Sequence, residues 1–159
     1  MAGVINVTSG NQAILTLGNT APLAVPGAAG SLSVPLVQDV TVNTTPGTVR
    51  YSTLDSTSSS AFTTVTENSV SLNMLLDDDV FFGAANTTNK VANDGLFTTS
   101  NDKTEVFFSV AFEGADSSDY YLKGSGFIGG LAPSASIDQA VWISPMEITV
   151  NGNLTKATV

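Results

Sequence analysis

Few side chains in this sequence could do chemistry, and most of those are carboxylates. Asp77–Asp79 is the one run of consecutive acidic residues, and a second acidic group surrounds Asn93-Asp94-Gly95. Clustered carboxylate oxygens can bind Ca²⁺, but calcium loops alternate their ligands with residues that let the chain turn. Three aspartates in a row are typical of an exposed loop or a helix N-terminus, and Asp-Gly is typical of a turn. We therefore predict no metal site and no cofactor.

Residues for covalent or acid–base catalysis are missing. The chain has no His and no Cys, which excludes a Ser-His-Asp triad, a thiol nucleophile and the usual zinc sites. The glycines of Gly124–Gly130 match neither common phosphate-loop spacing, so we predict no nucleotide site. Two carboxylates remote in sequence could hydrolyse a glycoside, but the single tryptophan, Trp142, is expected in the core of an apolar strand. We therefore predict that the protein is not an enzyme.

The charge balance excludes a further class of function. The 159 residues include five Lys and Arg against fourteen Asp and Glu, for a formal net charge of −9. So few cations cannot form a basic groove for nucleic acid.

The length fits one domain over residues 1–159. The N-terminal region has neither a basic start nor a clean apolar run, so we expect no signal peptide and no membrane contact.

Alternating side chains indicate that most elements are strands. In Ser69–Leu76 apolar residues alternate with Ser and Asn, and Glu105–Glu113 repeats this period of two. Many short runs with turn residues between them predict a mainly β domain, namely a two-sheet β-sandwich or a barrel-like fold. One short helix is predicted near Leu75–Gly83, where the aspartates would complement the helix dipole. Ser134–Gln139, after Pro133, is a second helix candidate.

Glycine and proline predict local features of two later strands. Gly124 and Gly126 leave one face of their strand bare, which allows either a β-bulge or a close approach by a neighbour. Pro145 predicts an edge position or a break in the last long strand, Ala140–Val150.

The first third of the chain differs in composition from the rest. Asp39 is the only charged residue among residues 1–49, and four of the six prolines lie there. We predict an extended N-terminal arm or loop over residues 20–47, because a Pro/Gly-containing segment with one charge can be pressed against another protein at little desolvation cost. A plain flexible loop is an equally good interpretation.

The order of elements in the second half resembles that of the major tail tube proteins of tailed bacteriophages. A strand (SVSLNMLL) precedes an acidic segment with a short helix (DDDVFFG) and a second strand (EVFFSVAFEG). A strand ending in glycines (DYYLKGSGFIGG), a loop (LAPSASID) and a final long strand (AVWISPMEITVNG) follow. The resemblance covers residues 49–152 and rests on this order, together with the length and the acidity.

The resemblance implies a structural virion protein. Such proteins form rings, expected to be hexameric, that stack into a tube around a lumen for DNA. A lumen wall of net negative charge repels phosphate, so Glu105, Glu113 and Asp119 are candidate lumen-facing residues. The implied partners are further copies of the chain, other tail proteins and DNA in transit, in a virion assembled in the host cytoplasm. Contacts between rings are assigned to the arm, whose candidate residues are Pro22, Pro26, Gly27, Gly30, Pro35 and Pro46.

An alternative class fits the composition equally well. A capsid decoration protein, a pilin-like subunit or a carbohydrate-binding domain would also be rich in Ser, Thr and Asn, poor in Lys and free of Cys. Such a module would stay small in solution and bind a ligand, whereas a tube subunit would polymerise. A hydrolase with remote carboxylates is the least favoured function.

Overall fold

The computed structural model describes residues 14–19, 31–34, 37–54, 57–85, 89–111, 120–136 and 138–158. The strands are β1 (Ile14–Gly18), β2 (Leu32–Ser33), β3 (Val37–Tyr51), β4 (Ser60–Leu75), β5 (Glu105–Ala111), β6 (Tyr120–Gly129), β7 (Ser134–Ser136), β8 (Gln139–Val150) and β9 (Thr155–Thr158). The helices are α1 (Asp78–Phe82) and α2 (Lys90–Asn101).

The strands pair antiparallel in one hydrogen-bonded sheet. Its order is β2-β1-β5-β6-β8-β4-β3, while β7 pairs with β8 and β9 pairs with β6. The prediction of a mainly β domain is confirmed. The hydrogen bonds join the strands in one sheet, where we expected two, because long strands change partners along their length. Residues 120–123 of β6 pair with β9, and residues 126–129 pair with β8.

The core follows the predicted alternation. Val70, Leu72 and Met74 of β4 are at most 2% exposed, while the Ser and Asn residues between them are half-buried. On β8, Met146 and Ile148 lie opposite these residues in register and are also buried. Burial of such apolar side chains is the main term that stabilises the sheet.

The glycine-rich strand allows the predicted close approach. Gly126 of β6 is buried and faces Val150 of β8 in register. A Cβ atom at Gly126 would collide with the backbone oxygen of Thr149, so β6 and β8 can approach this closely only without a side chain there.

Pro145 lies in β8, opposite Asn73 of β4. On the other side of β8, β6 pairs with residues 147–150 and β7 with residues 139 and 143. Pro145 therefore falls between these two pairings, where a residue without an N–H costs no ladder hydrogen bond.

The short helix near residues 75–83 is confirmed as α1. Its N-cap is Asp77, whose carboxylate accepts a hydrogen bond from the Val80 backbone N–H at 3.2 Å. The structure thus uses the acidic run as a cap and as the first turn of a helix, which is the role that the dipole favours.

A second helix, α2, lies where the sequence predicted a turn at residues 93–95. Asn89 is its buried N-cap, accepting from the Val91 and Ala92 N–H groups and donating to the Leu17 carbonyl of β1 at 3.2 Å. The helix breaks at Gly95, which has φ +75°, and a Cβ there would collide with the backbone of Gly83 after α1.

The helix predicted over Ser134–Gln139 is wrong. Ser134–Ser136 forms β7, and Ser134 pairs with Ile143 of β8 in register. The backbone hydrogen bonds that Ser134–Ser136 forms with β8 outweigh the weak helix preference of so short a segment.

Candidate assembly surfaces

One face of β3, β4, β8, β6 and β5 is lined mainly by polar side chains, with Phe127 as an exposed apolar exception, and we call it the polar face. Two adjacent rows cross the strands in register: Asn43, Ser69, Thr149, Phe127 and Glu105 in the first, and Thr41, Ser71 and Glu147 in the second. These side chains are half-buried or exposed, in contrast to the buried residues that alternate with them.

The charge of the polar face is mainly negative. Asp39 and Glu147 are exposed on it, and the Asp39 carboxylate accepts a hydrogen bond from the Asn73 side-chain amide at 2.8 Å. Among the described residues of β6, the cation on the side of the polar face is Lys123, four positions before Phe127. At Lys123, β6 no longer pairs with β8 but with β9. The part of the face on β3, β4 and β8 therefore repels anions such as phosphate.

Glu105 lies on the polar face at the start of β5, as the alternation predicted. Its carboxylate accepts a hydrogen bond from the Asn151 side-chain amide at 3.0 Å. This bond, and a second from the Ser125 side chain, lower the pKa of Glu105 because they stabilise the charged form. Glu105 is thus held ionised on this face, while its position in a lumen stays a prediction.

The other predicted site residues are mostly beyond what the structure describes. Glu113, Asp119, Pro22, Pro26, Gly27, Gly30 and Pro35 lie outside the described residues. Pro46 is described, and it lies within β3, paired with Thr66 of β4. Residues 37–47 of the proposed arm thus belong to a strand whose Val40 and Val42 pack against the core. Deleting residues 20–47 would remove part of the sheet, so only residues 20–30 are suited to a deletion test.

The β3–β4 hairpin is far longer than the core that supports it. We call residues 44–51 of β3 and 60–67 of β4 its free half, and within it only Gly47 and Thr66 are even half-buried. Register shifts occur between Pro46 and Thr48, where β4 contributes one extra residue as a β-bulge.

Apolar side chains are exposed near the end of the free half. Val49 and Phe62 pair in register and are 43% and 52% exposed, while the Tyr51 ring lies 6.1 Å from the Phe62 ring. Leu54, in the turn, is fully exposed. We call these four residues the tip patch. Isolated exposed apolar residues are ordinary, but a contiguous aromatic group marks an interaction surface.

Strand edges are open along the hairpin. β3 ends the strand order, so one edge of its 15 residues has no partner among the described strands. Pairing of β4 with β8 ends at Ser69–Thr149, so residues 60–68 of β4 pair with β3 alone among the described residues. Unpaired edges of this length are usually covered by another chain or protected by charges.

A second apolar surface, missed by the sequence analysis, lies at the helices. Phe81 is buried, whereas Phe82 and Phe97 are 61% and 52% exposed. The three rings lie within 6.4 Å of one another and, with Leu131 and Pro133, line a groove of about 430 Å³. We call it the aromatic groove. The sequence feature that could have predicted this groove is the pair Phe81-Phe82. A short helix that packs on a core buries only one of two adjacent residues, so the other aromatic ring is left exposed.

Trp142 is not in the core, contrary to the sequence prediction. It is 56% exposed, and so is its neighbour Val141 at 48%. Trp142 has the same strand parity as the buried Ser144, Met146 and Ile148. However, the register of β8 with β4 ends at Leu75–Ile143, and the Trp142 carbonyl then accepts a hydrogen bond from the Leu76 N–H at 2.9 Å. The Trp142 side chain therefore lies at the end of the supported part of the sheet.

The described residues include no cluster of three His, Cys, Asp or Glu side chains that could hold a metal ion. Among the same residues, no helix has the length and apolarity that crossing a membrane requires.

Comparisons with known proteins identify solved structures of similar fold. No family model matches the chain, and no curated protein matches it in sequence. Among solved structures, the fold is similar to a subunit in the tail of an empty gene transfer agent particle, refined helically with C6 symmetry. The TM-score is 0.65 at 11% identity over 96% of this chain and 100% of that one.

Two further structures share the fold. The SPP1 tail tube has a TM-score of 0.67 at 12% identity, covering 96% of this chain and 80% of that chain. A chain of the virion of the native gene transfer agent particle has a TM-score of 0.58 at 13% identity, covering 91% and 95%. The predicted resemblance to tail tube proteins is thus confirmed at the level of the fold, and it extends beyond residues 49–152.

Proposed function

We propose that this chain is a structural subunit of a phage-type tail tube. The observation that carries the proposal is the fold, which matches over 96% of this chain the whole of a subunit from a helical, C6-symmetric tail. We infer that six copies form a ring and that rings stack into a tube. The subunit would act by assembly, without catalysis, in a virion tail put together in the host cytoplasm with other tail proteins.

The open strand edges support ring formation. The unpaired edge of β3 would accept a strand from the neighbouring subunit, and closure of the ring removes every edge of this kind. A rotationally symmetric ring needs two different contact surfaces on each copy, and a sheet with two unlike edges, β2 and β3, offers them.

The polar face is the proposed lumen wall. Asp39, Glu105 and Glu147 would place carboxylates along the path of DNA, where negative charge prevents adhesion of phosphate. Glu113 and Asp119 remain proposed members of this wall. DNA would be transient cargo and would have no binding site.

Contacts between rings are proposed for two segments. The free half of the β3–β4 hairpin, which includes Pro46, projects beyond the core and carries the tip patch. Residues 20–30, with Pro22, Pro26, Gly27 and Gly30, and the nearby Pro35 are the remaining part of the proposed arm. Deleting residues 20–30 should shorten or abolish tubes, and normal tubes from this deletion would exclude an arm role.

Negative-stain electron microscopy of the purified protein, with light scattering over a concentration series, tests the proposal. Rings or hollow tubes whose mass grows with concentration are expected. A species that stays monomeric at all concentrations, also in the presence of tail initiation proteins, would contradict it. Glycan binding by such a monomer would favour the alternative of an extracellular or virion β-module.

A test of the lumen assignment uses charge. Glu105→Lys should leave tubes intact but slow DNA passage, because an ammonium group in the wall attracts phosphate. Thr158→Lys, an exposed change on β9 whose register partner Tyr120 lies on the other side of the sheet from Lys123 and Phe127, is the matched control. Particles with Glu105→Lys that deliver DNA as fast as the control would show that Glu105 does not line the lumen.

A further inference from the structure

We propose that the aromatic groove is the receptor for the tip patch of another copy of this chain. The inference rests on the proposed function as a tube subunit, and it assigns which two surfaces meet when one copy is stacked on the next.

The aromatic groove has the character of a receptor for side chains. Phe82 and Phe97 are more than half exposed, and none of the described residues that line the groove is charged. Its volume of about 430 Å³ is within the range of ligand pockets, but its described lining does not include the convergent titratable groups that fix a small molecule. Aromatic walls without charge suit the apolar side chains of a protein partner.

The tip patch has the character of the inserted group. The Tyr51 and Phe62 rings are in tilted contact on paired strands, so they are presented together at low entropy cost. Both are more than half exposed, and none of the described core residues belongs to the free half. Aromatic residues held on strands in this way are typical anchors of protein interfaces.

The two surfaces lie at opposite ends of one strand. β4 begins at Ser60 beside the tip patch and ends at Leu75, and α1 follows three residues later. Its 16 residues span roughly 50 Å at about 3.3 Å per residue. Contact between opposite ends of identical copies is a head-to-tail interface, which gives an open stack of copies when its rotation does not close into a ring.

The charges at the two surfaces are complementary. Arg50, the one arginine in the chain, adjoins Tyr51 in the tip patch and is the only cation of β3 and β4. Beside the aromatic groove, Asp78 and Asp79 are exposed in the first turn of α1. Such a rim pair adds little affinity, but it selects the orientation and the partner.

Exchange of charges tests the contact. Arg50→Glu alone, and Asp78→Lys with Asp79→Lys alone, should each raise the concentration at which tubes form by on the order of tenfold, because each places like charges at the contact. A chain that carries all three changes should assemble like the wild type, and so should a mixture of the two variants. Failure of both rescues would overturn the inference, since all three side chains are exposed and their exchange leaves the core residues unchanged.

Cross-linking tests it in a second way, because the chain has no Cys. Tyr51→Cys and Phe97→Cys variants, mixed under assembly conditions and oxidised, should give a disulfide-linked dimer. Thr155→Cys in place of Phe97→Cys, and each variant alone, are the controls. A dimer that forms equally well with Thr155→Cys would overturn the inference.

The outcomes separate the two proposals. If the wild type makes no ring or tube, the proposed function fails and the inference fails with it. If the wild type makes tubes, but the charge variants assemble at the same concentration and no Tyr51–Phe97 pair cross-links, the tip patch docks elsewhere. In that case the inference alone is wrong.

Discussion

The two halves of the β3–β4 hairpin have the same ladder of hydrogen bonds but different surroundings. In the packed half, residues 37–43 and 69–75, Val70, Leu72 and Met74 are almost completely buried. In the free half, Val49 and Phe62 are as apolar but remain 43% and 52% exposed. The packed half buries its side chains within the subunit, whereas the free half has aromatic residues for which the described part of the subunit provides no core.

The difference indicates where the stability of each half comes from. A two-stranded ribbon is marginally stable in water, and a third strand or a packed face is normally needed. The packed half has β8 on its other side and the core below it, while the free half has β3 and β4 alone among the described residues. A ribbon of this length with aromatic residues near its end is best explained by a second molecule that completes its packing.

The largest expected effect separates the two halves by stability. Leu72→Ala should lower the free energy of unfolding of the subunit by about 2–5 kcal/mol, because it leaves a cavity in the core. Phe62→Ala, a larger truncation in the free half, should change it by no more than about 0.5 kcal/mol. Urea unfolding of both variants under conditions that keep the subunit monomeric measures the contrast. Similar losses for both would mean that the free half is packed within the subunit.

The next test concerns the contact between β6 and β8 beside the packed half. Gly126→Ala should destabilise the subunit by about 1–3 kcal/mol, since the new methyl group meets the Thr149 carbonyl oxygen of the neighbouring strand. Gly129→Ala is the matched control on the same strand, because a Cβ there meets nothing closer than 4.0 Å. Thermal unfolding of the two variants compares them, and equal melting temperatures would contradict the close approach.

A smaller effect is expected at the border between the halves. Asn68 is 6% exposed, and its amide donates to the Gly152 carbonyl at 3.0 Å, which ties β4 to the turn after β8. Asn68→Ala should cost about 1 kcal/mol, the net value of one such hydrogen bond. Thr66→Ala, two residues into the free half, should be neutral in the same unfolding measurement. If Thr66→Ala and Asn68→Ala lost equal amounts of unfolding free energy, the packed half would have to include Thr66.

The sequence predicted the elements whose own periodicity determines them. The alternation specified which side chains of β4 are buried, and in β5 it specified Val106, Phe108 and Val110, although Ser109 on the other side is buried too. Asp77–Asp79 located α1 through the chemistry of its N-terminus. The helix α2 was missed because its sequence contains Gly95, two Asn and two Thr, which are weak helix formers. The helix depends on the buried cap Asn89 and its bond to Leu17 of β1, which is a tertiary contact that local patterns do not contain.

The assembly surfaces were predicted only in part, for a related reason. Alternation assigns a residue to a face of a strand, but it does not say whether a core lies under that part of the strand. Trp142 and Phe62 both lie in strands with apolar patterns, and both are more than half exposed because the strands extend beyond the core. Glu105 was placed correctly on a polar face because its position depends on strand parity alone.

The smallest expected effect lies on the polar face beside the packed half. Hydrogen bonds from Asn151 and then Ser125 lower the pKa of Glu105 below its ordinary value. Asn151→Ala should move the pKa of Glu105 up towards that value, with Ser125→Ala giving a smaller rise.

Because the folded pKa is lowered, these bonds contribute stability above the unfolded pKa, and the contribution is lost as the pH falls through the folded pKa. Stability near neutral pH should therefore drop slightly in Asn151→Ala and converge with the wild type in acid. NMR titration of the Glu105 carboxyl carbon measures the pKa directly, and an unchanged pKa in Asn151→Ala would show that the bond is not formed in solution.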